Sequence, residues 1–130
     1  MRLIVLLTFI SISFNAFSHS QSPITKKEMS MNGRASITIT VGNSSEKRTT
    51  YQMYINGEKY GDEFKINKKD IKKRNVTIKN LKPDIVETHE ICSLSVPEKE
   101  EEYITRICTK YKTLYPKTKI KKARERALNK

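Results

Sequence analysis

Residues 75–116, NVTIKNLKPDIVETHEICSLSVPEKEEEYITRICTKYKTLYP, decide the fold of this chain. The pattern predicts a β-strand, a tight corner at LKPD, and a long hairpin whose two arms each carry one of the only two cysteines. If the acidic PEKEEE segment forms the hairpin loop, antiparallel pairing places Cys92 directly opposite Cys108. The same register predicts three further pairs: Glu90 with Lys110, Leu94 with Arg106, and Val96 with Ile104.

The two cysteines are predicted to form a disulfide. Directly opposed residues on neighbouring strands lie ~5 Å apart, which is the Cα separation that a disulfide requires. A pair of reduced, buried thiols and an intermolecular link are the alternatives. A metal site is not expected, because two cysteines without a nearby pair of histidines do not complete a tetrahedral ligand set.

The same stretch resembles a known family. The runs TIKNLKPDIVETHEICSLS and TRICTKYKTLYP resemble the last three strands of a fibronectin type III domain. The matching positions are Leu81 and Pro83 at the corner, and Leu114, Tyr115 and Pro116 at the end of the final strand. Ile85 stands where the family has a threonine and Glu87 where it has the corner tyrosine, and the chain has no tryptophan. The resemblance covers residues 35–116 and implies a β-sandwich used for binding, with no catalytic residues.

Upstream of residue 75 the pattern predicts more strands. Residues 35–41 alternate isoleucine and valine with serine and threonine, which indicates a strand with one wet face. The next strand, TTYQMYI, leads into Asn56-Gly57, a hairpin turn in which both positions accept positive φ. The chain returns through EKYGDEFKI, and NKKDIKKR is predicted to be a polar connection to the strand that begins at Asn75.

These segments predict an all-β fold, a small antiparallel β-sandwich of the fibronectin type III or immunoglobulin-like (Ig-like) kind over residues 35–116. One face of the long hairpin is expected to contribute to the core, through Ile85, Ile91, Ile107, Tyr103, Tyr111 and Tyr115. Residues 117–130 are predicted to form a basic tail that is a frayed or induced helix, since a segment this short is marginal alone in water.

The N-terminus has the layout of an export signal. Arg2 precedes the apolar run LIVLLTFISISF, and Ala16-Phe17-Ser18 offers small residues at a cleavage site. We predict that residues 1–18 are a signal peptide cleaved after Ser18, because the apolar run falls short of the ~20 residues that a membrane anchor needs. The mature product is expected to be secreted, or periplasmic in a bacterium, with no membrane span. Residues 19–34 are predicted to be a flexible lead-in, with the domain's first strand as the alternative.

Catalysis finds little support in the sequence. His89 is expected to be a structural residue on a strand face, and His19 has no predicted partner. No glycine-rich phosphate loop is present, and neither a cofactor nor a metal is predicted. A cluster of carboxylates is expected to be a solvated loop tip and not a tuned acid and base: Glu98, Glu100, Glu101 and Glu102.

The basic residues carry the functional prediction. With 26 Lys and Arg against 14 Asp and Glu, the formal net charge is +12, which favours anionic partners. The expected partner is an anionic polysaccharide of the heparin type or an acidic protein surface; a merely solubilising charge is the alternative. Nucleic acid is poorly supported, because aromatic residues do not interleave with the lysines. The predicted binding residues are Lys117, Lys119, Lys121, Lys122, Arg124 and Arg126 in the tail, and Lys72, Lys73 and Arg74 as a second patch.

Two asparagines are predicted glycosylation sites in a eukaryotic secretory pathway: Asn43, in Asn-Ser-Ser, and Asn75, in Asn-Val-Thr. Both lie at predicted loop or strand ends, where a bulky sugar is tolerated.

Three functions follow from the sequence. The favoured one is a secreted, non-enzymatic binding module whose tail engages a polyanion. The alternatives are a secreted effector glycoprotein with a nuclear-import-like tail, and a periplasmic assembly or chaperone factor of Ig-like fold.

Overall fold

The computed structural model describes residues 18–100 and 102–130, so the predicted signal peptide, apart from Ser18, lies outside the described residues. Within them the chain forms eight β-strands and one helix. The strands are β1 (His19–Ser22), β2 (Thr25–Met29), β3 (Ala35–Asn43), β4 (Thr49–Ile55), β5 (Glu58–Ile66), β6 (Asp70–Ile78), β7 (Val86–Val96) and β8 (Arg106–Leu114), and the helix is α1 (Lys117–Leu128).

The strands form two sheets that pack face to face. A three-stranded sheet has the order β1-β3-β6, and a five-stranded sheet has the order β2-β8-β7-β4-β5. The chain crosses from the first sheet to the second between β1 and β2, at Pro23. All pairs are antiparallel except β2 with β8, which is parallel. The predicted all-β sandwich is therefore confirmed.

Strand alternation builds the core. Ile37, Ile39 and Val41 of β3 are buried, as their period-two spacing predicts. Each large apolar side chain buried here contributes about 1.5–3 kcal/mol relative to an exposed position. The turn at Asn56-Gly57 has the predicted positive φ angles, 50° and 86°, and reverses the chain between β4 and β5. The core side chains from the other strands and from the corner before β7 are Tyr51, Met53, Phe64, Ile66, Val76, Ile78, Leu81, Ile91 and Tyr111.

Residues 19–34 are not a flexible lead-in. β1 pairs with β3 from His19 opposite Asn43 to Ser22 opposite Thr40, and β2 pairs with β8. The alternative prediction, that this segment supplies the first strand, is therefore correct. The apolar alternation that reveals other strands is absent here, because the buried side chains of β1 are polar: His19 and Gln21.

The predicted register of the β7–β8 hairpin is confirmed over most of its length. Cys92 lies opposite Cys108 and the two sulfurs are bonded. Glu90 opposes Lys110 and Leu94 opposes Arg106, as predicted, although the ion pair that Glu90 forms is with Arg106. The predicted pair of Val96 with Ile104 is wrong, because β8 begins at Arg106 and Val96 pairs with Thr50 of β4.

The core face of this hairpin is only partly as predicted. Ile91 and Tyr111 are fully buried, Tyr115 packs against the core, and Ile107 is half-buried. Ile85 and Tyr103 are 48% and 93% exposed, because they lie outside β7 and β8 and no strand directs their side chains inward.

The corner before β7 is closed by a carboxylate. Glu87 stands where the fibronectin type III pattern has its tyrosine, and its Oε2 accepts a hydrogen bond of 3.0 Å from the Lys82 backbone N–H. Leu81 is buried beneath this corner. The acceptor is charged, which strengthens this hydrogen bond.

We expect the disulfide to stabilise the domain without creating it. Cys92 and Cys108 are 16 residues apart, so the chain-entropy model gives about 3 kcal/mol. The double variant Cys92→Ala/Cys108→Ala should fold, with its free energy of unfolding in urea lowered by that amount. Wild-type protein in a reducing agent serves as the control and should lose a similar amount. A loss below about 1 kcal/mol in both would contradict the prediction.

Candidate functional site

Helix α1 begins at a capping contact from a distant corner of the chain. Asp84 accepts hydrogen bonds at Oδ1 from the Thr118 backbone N–H (3.0 Å) and at Oδ2 from the Thr118 hydroxyl (2.6 Å). The backbone N–H of Asp84 donates in turn to the Tyr115 carbonyl at 2.8 Å. These bonds from Thr118, together with the nearby charge of Lys117, lower the pKa of Asp84. A carboxylate at a helix N-terminus also complements the helix dipole, so the corner fixes where α1 starts.

The basic residues predicted for the tail all lie on or at the start of this helix. No residue of α1 is buried, and its basic side chains are exposed. Lys119, Lys122 and Arg126 follow one another at steps of three and four residues, which aligns them along one side of the helix. Among the described residues, none of the helix's lysines or arginines lies within 4.0 Å of an acidic partner.

The second predicted basic patch is split by strand alternation. The segment was expected to be a connection, but β6 already begins at Asp70, so Lys72, Lys73 and Arg74 lie within a strand. Lys72 and Arg74 point to the inner side, where they stand 5.9 and 4.7 Å from the centre of the Phe64 ring. Lys73 points to the opposite face. The three charges therefore do not form one surface, and two of them cover the edge of the core.

The expectation that His19 has no partner is wrong. Its ring is buried, with Nε2 2.7 Å from the Ser93 hydroxyl and Nδ1 2.9 Å from the Thr105 hydroxyl. Ser93 donates its own proton to Gln21 Oε1 at 2.5 Å, so Nε2 of the imidazole donates to Ser93. Gln21 Nε2 then donates to the Ile91 carbonyl and to the Thr109 hydroxyl, at 2.9 and 2.7 Å.

Both histidines are structural in this arrangement. Burial lowers the pKa of His19 from 6.5 to about 4, so the ring is neutral at physiological pH. His89 is buried, as expected of a structural residue, and its Nε2 lies 3.1 Å from the Thr113 hydroxyl. Burial lowers the pKa of His89 also, and the nearby charge of Glu87 partly offsets that effect.

The acidic loop tip is only partly solvated. Glu98 and Glu100 are exposed as predicted, while Glu101 lies outside the described residues. Glu102 turns back to form an ion pair with Lys47, and this contact lowers the pKa of the Glu102 carboxyl. The pairing ties the hairpin loop to the loop after β3.

The two glycosylation sequons differ in their surroundings. Asn43 is only 1% exposed, and its Nδ2 donates to the carbonyls of Lys47, Ile66 and Asn67 at 2.8–3.2 Å. The expectation that Asn43 lies where a sugar is tolerated is therefore wrong: the atom that would carry the sugar is buried and already bonded. Asn75 is exposed on β6, where its Oδ1 accepts a bond from Thr38, and glycosylation there stays a prediction.

The described residues offer one cluster of potential metal ligands, formed by Glu90, Cys92 and Cys108. Because the two sulfurs are bonded to each other, neither is available as a thiolate ligand. Within residues 18–100 and 102–130, no helix is both long and apolar enough to cross a membrane.

The sequence matches no protein-family model and no curated protein. The fold, in contrast, is similar to solved structures. The ASH/PapD-like domain 7 of human CEP192 superposes with a TM-score of 0.59 at 7% identity, over 75% of this chain and 84% of that one. The E. coli chaperone DraB has a TM-score of 0.58 at 15% identity, and the periplasmic chaperone SfaE 0.54 at 12%. Each alignment covers 76% of this chain, which spans a little over half of each chaperone, 56% and 58%.

These similarities define the class of fold. The chain is an Ig-like β-sandwich with a short C-terminal helix, and the structures it matches are PapD-like and chaperone domains. The finer assignment to the fibronectin type III group stays a prediction. At these levels of identity the similarity describes the fold alone.

We expect stability to fall as the pH falls from 7 to 4, because the unfolded chain protonates His19 near pH 6.5 while the folded chain resists until about pH 4. The loss from this residue should be about 3 kcal/mol. His19→Gln should be less stable than wild type at pH 7, and the gap should narrow at pH 4. Urea unfolding of wild type and His19→Gln at each pH measures this. Parallel wild-type and His19→Gln profiles would contradict the prediction.

We expect Asn43 to be a structural residue. Asn43→Ala leaves three carbonyls without their donor and should lower the free energy of unfolding by about 2–4 kcal/mol. Asn75→Ala is the matched control, because it removes one exposed bond and should cost less than about 1 kcal/mol. Equal effects of the two substitutions, measured by urea unfolding, would refute this role.

Proposed function

We propose that this protein is an exported, non-enzymatic binding module that uses helix α1 to contact a polyanion, either a sulfated polysaccharide or an acidic protein surface. The observation that carries the proposal is the arrangement of charge on α1. Its basic side chains are exposed, they lie on a helix whose start is capped by Asp84, and among the described residues they have no acidic partner.

The contact is electrostatic. A polyanion that approaches the helix exchanges its condensed counterions for lysine and arginine side chains, and release of those counterions drives binding. Such an interaction weakens steeply as the salt concentration rises. Its strength depends more on the spacing of the charges than on the chemical groups around them. A cap that fixes the start of α1 presents several cations together, which a disordered tail does not do.

The test is a comparison of two fourfold neutralised variants on heparin. Lys121→Gln/Lys122→Gln/Arg124→Gln/Arg126→Gln removes four charges from α1. The matched control, Lys65→Gln/Lys68→Gln/Lys79→Gln/Lys82→Gln, removes four exposed charges from the sandwich. We expect the helix variant to lower the slope of log K against log salt by about 3, from four contacts at roughly 0.7–0.9 each.

The control should change the slope by less than about 1, although both variants lose the same net charge. Equal losses in the two variants would show that total charge, and not α1, governs binding. An unchanged slope in the helix variant would remove α1 from the proposal.

A periplasmic assembly factor is the second candidate. It is supported by the similarity of fold to DraB and SfaE, and by two nine-residue strands, β5 and β6, that each have one open edge in the described part of the chain. Open edges are places where a partner can add a strand. This candidate and the favoured one both require export. The test is to express the full chain in a bacterial host. Recovery of the protein from the osmotic-shock fluid supports export, and retention in the cytoplasm contradicts it.

A further inference from the structure

An apolar groove runs between helix α1 and the outer face of the five-stranded sheet. Its part beside the helix has a volume of about 470 Å³. Beyond Met29 and Leu114 it continues towards Val86 in a second part of about 430 Å³. Met29 and Val86 are the neighbours of Leu114 on the two adjoining strands, so the three side chains form one row across the sheet. The apolar residues of the part beside the helix are Met29, Met31, Leu114, Pro116, Ile120, Ala123 and Ala127.

This groove holds a concentration of exposed apolar side chains. Met29 is 61% exposed, Met31 63% and Val86 64%. Single exposed apolar residues are ordinary, but a contiguous set marks an interaction surface. Methionine is unbranched and polarizable, so a surface that contains two of them adapts to the shape of its ligand.

The groove is held in place at the sheet and at the first turn of α1. The Asp84 cap fixes where the helix starts, while no residue of α1 is buried. On the sheet side, the Ser30 backbone N–H donates to the Leu114 carbonyl at 2.8 Å, and the Ser30 hydroxyl donates to the Arg34 carbonyl at 2.6 Å. The sheet side therefore needs no ordering when a ligand binds.

The charges around the groove are almost all positive. Lys27 and Lys112 line the part on the sheet, and Lys119 and Arg124 line the part beside the helix. The acidic side chain there is Glu28, whose Oε2 accepts a 2.6 Å bond from the Tyr111 hydroxyl and lies 3.6 Å from Lys26. Four cationic side chains against one carboxylate leave the groove with a net positive field towards a ligand.

We propose that this groove binds a peptide segment of a partner protein that is acidic and carries large apolar side chains. The combination of an apolar floor and a cationic rim matches both features. A sulfated polysaccharide has no apolar groups to fill the floor. The inference goes beyond the proposed function: the two share Lys119 and Arg124, but the floor at Met29 and Met31 has no part in binding a polysaccharide.

The experiment selects twelve-residue peptides from a random display library on the full mature chain, with counter-selection against Met29→Ser/Met31→Ser. Both methionines are more than 60% exposed, so this variant should retain the wild-type melting temperature. We expect the selected peptides to combine acidic and large apolar residues. A labelled copy of the best peptide should bind the variant about tenfold more weakly, because the variant removes apolar contact area.

Two controls separate the sources of binding. Lys27→Gln/Lys112→Gln should weaken the peptide severalfold, while Met29→Ser/Met31→Ser should leave the heparin elution salt unchanged. If heparin binding fails and the peptide still binds, the groove proposal stands without the proposed function; the reverse result overturns the groove proposal alone.

Other outcomes overturn the groove proposal as well. They are selected peptides without acidic residues, equal affinity for wild type and the methionine variant, and self-association in sedimentation that the methionine variant abolishes. Sedimentation with anionic lipid vesicles that depends on Met29 and Met31, without peptide binding, would assign the surface to a membrane instead.

Discussion

A buried set of polar side chains closes one side of this sandwich. Gln21, on the three-stranded sheet, donates to the Ile91 carbonyl and the Thr109 hydroxyl on the five-stranded sheet, and the His19 ring reaches Ser93 and Thr105 nearby. Among the described residues every buried side-chain nitrogen or oxygen has a partner, so the network avoids the cost of orphaned polar groups. Because this network fixes β1, the chain can cross at Pro23 and lay β2 against β8. That placement of β2 creates the floor of the apolar groove.

Secondary structure determines which charged side chains lie on the same surface. The consecutive basic residues of β6 alternate between two faces, and two of them rest on the Phe64 ring. Basic residues on α1 recur at three- and four-residue steps, so the helix turns them into continuous rows with an apolar strip between them. Two stretches of similar composition therefore present different surfaces. A count of lysines and arginines along the chain does not distinguish them, whereas the period of the local structure does.

The sequence predicts those strands in which apolar side chains point to the core and polar side chains point to solvent. β3 is visible because its isoleucines and valines alternate with serine and threonine. The Cys92–Cys108 register is visible because the acidic loop marks the centre of the hairpin. β1 is predicted only as an alternative, because its inward residues are histidine and glutamine, which become interior through partners in β7, in β8 and at Thr105. The burial of Asn43 is hidden for the same reason: its three carbonyl acceptors lie later in the chain, two of them more than twenty residues away. The groove is hidden too, since its walls come from β2, β8 and α1.

The contact between Asp84 and Thr118 makes the display of the cationic rows conditional on tertiary structure. A twelve-residue helix is marginal in water by itself, so its alignment depends on a carboxylate that the corner at residues 81–85 holds in position. When the sandwich unfolds, the carboxylate no longer caps the helix, and the cations are no longer aligned along it. Under the proposed function, an unfolded copy is therefore expected to bind a polyanion more weakly, although its composition is unchanged.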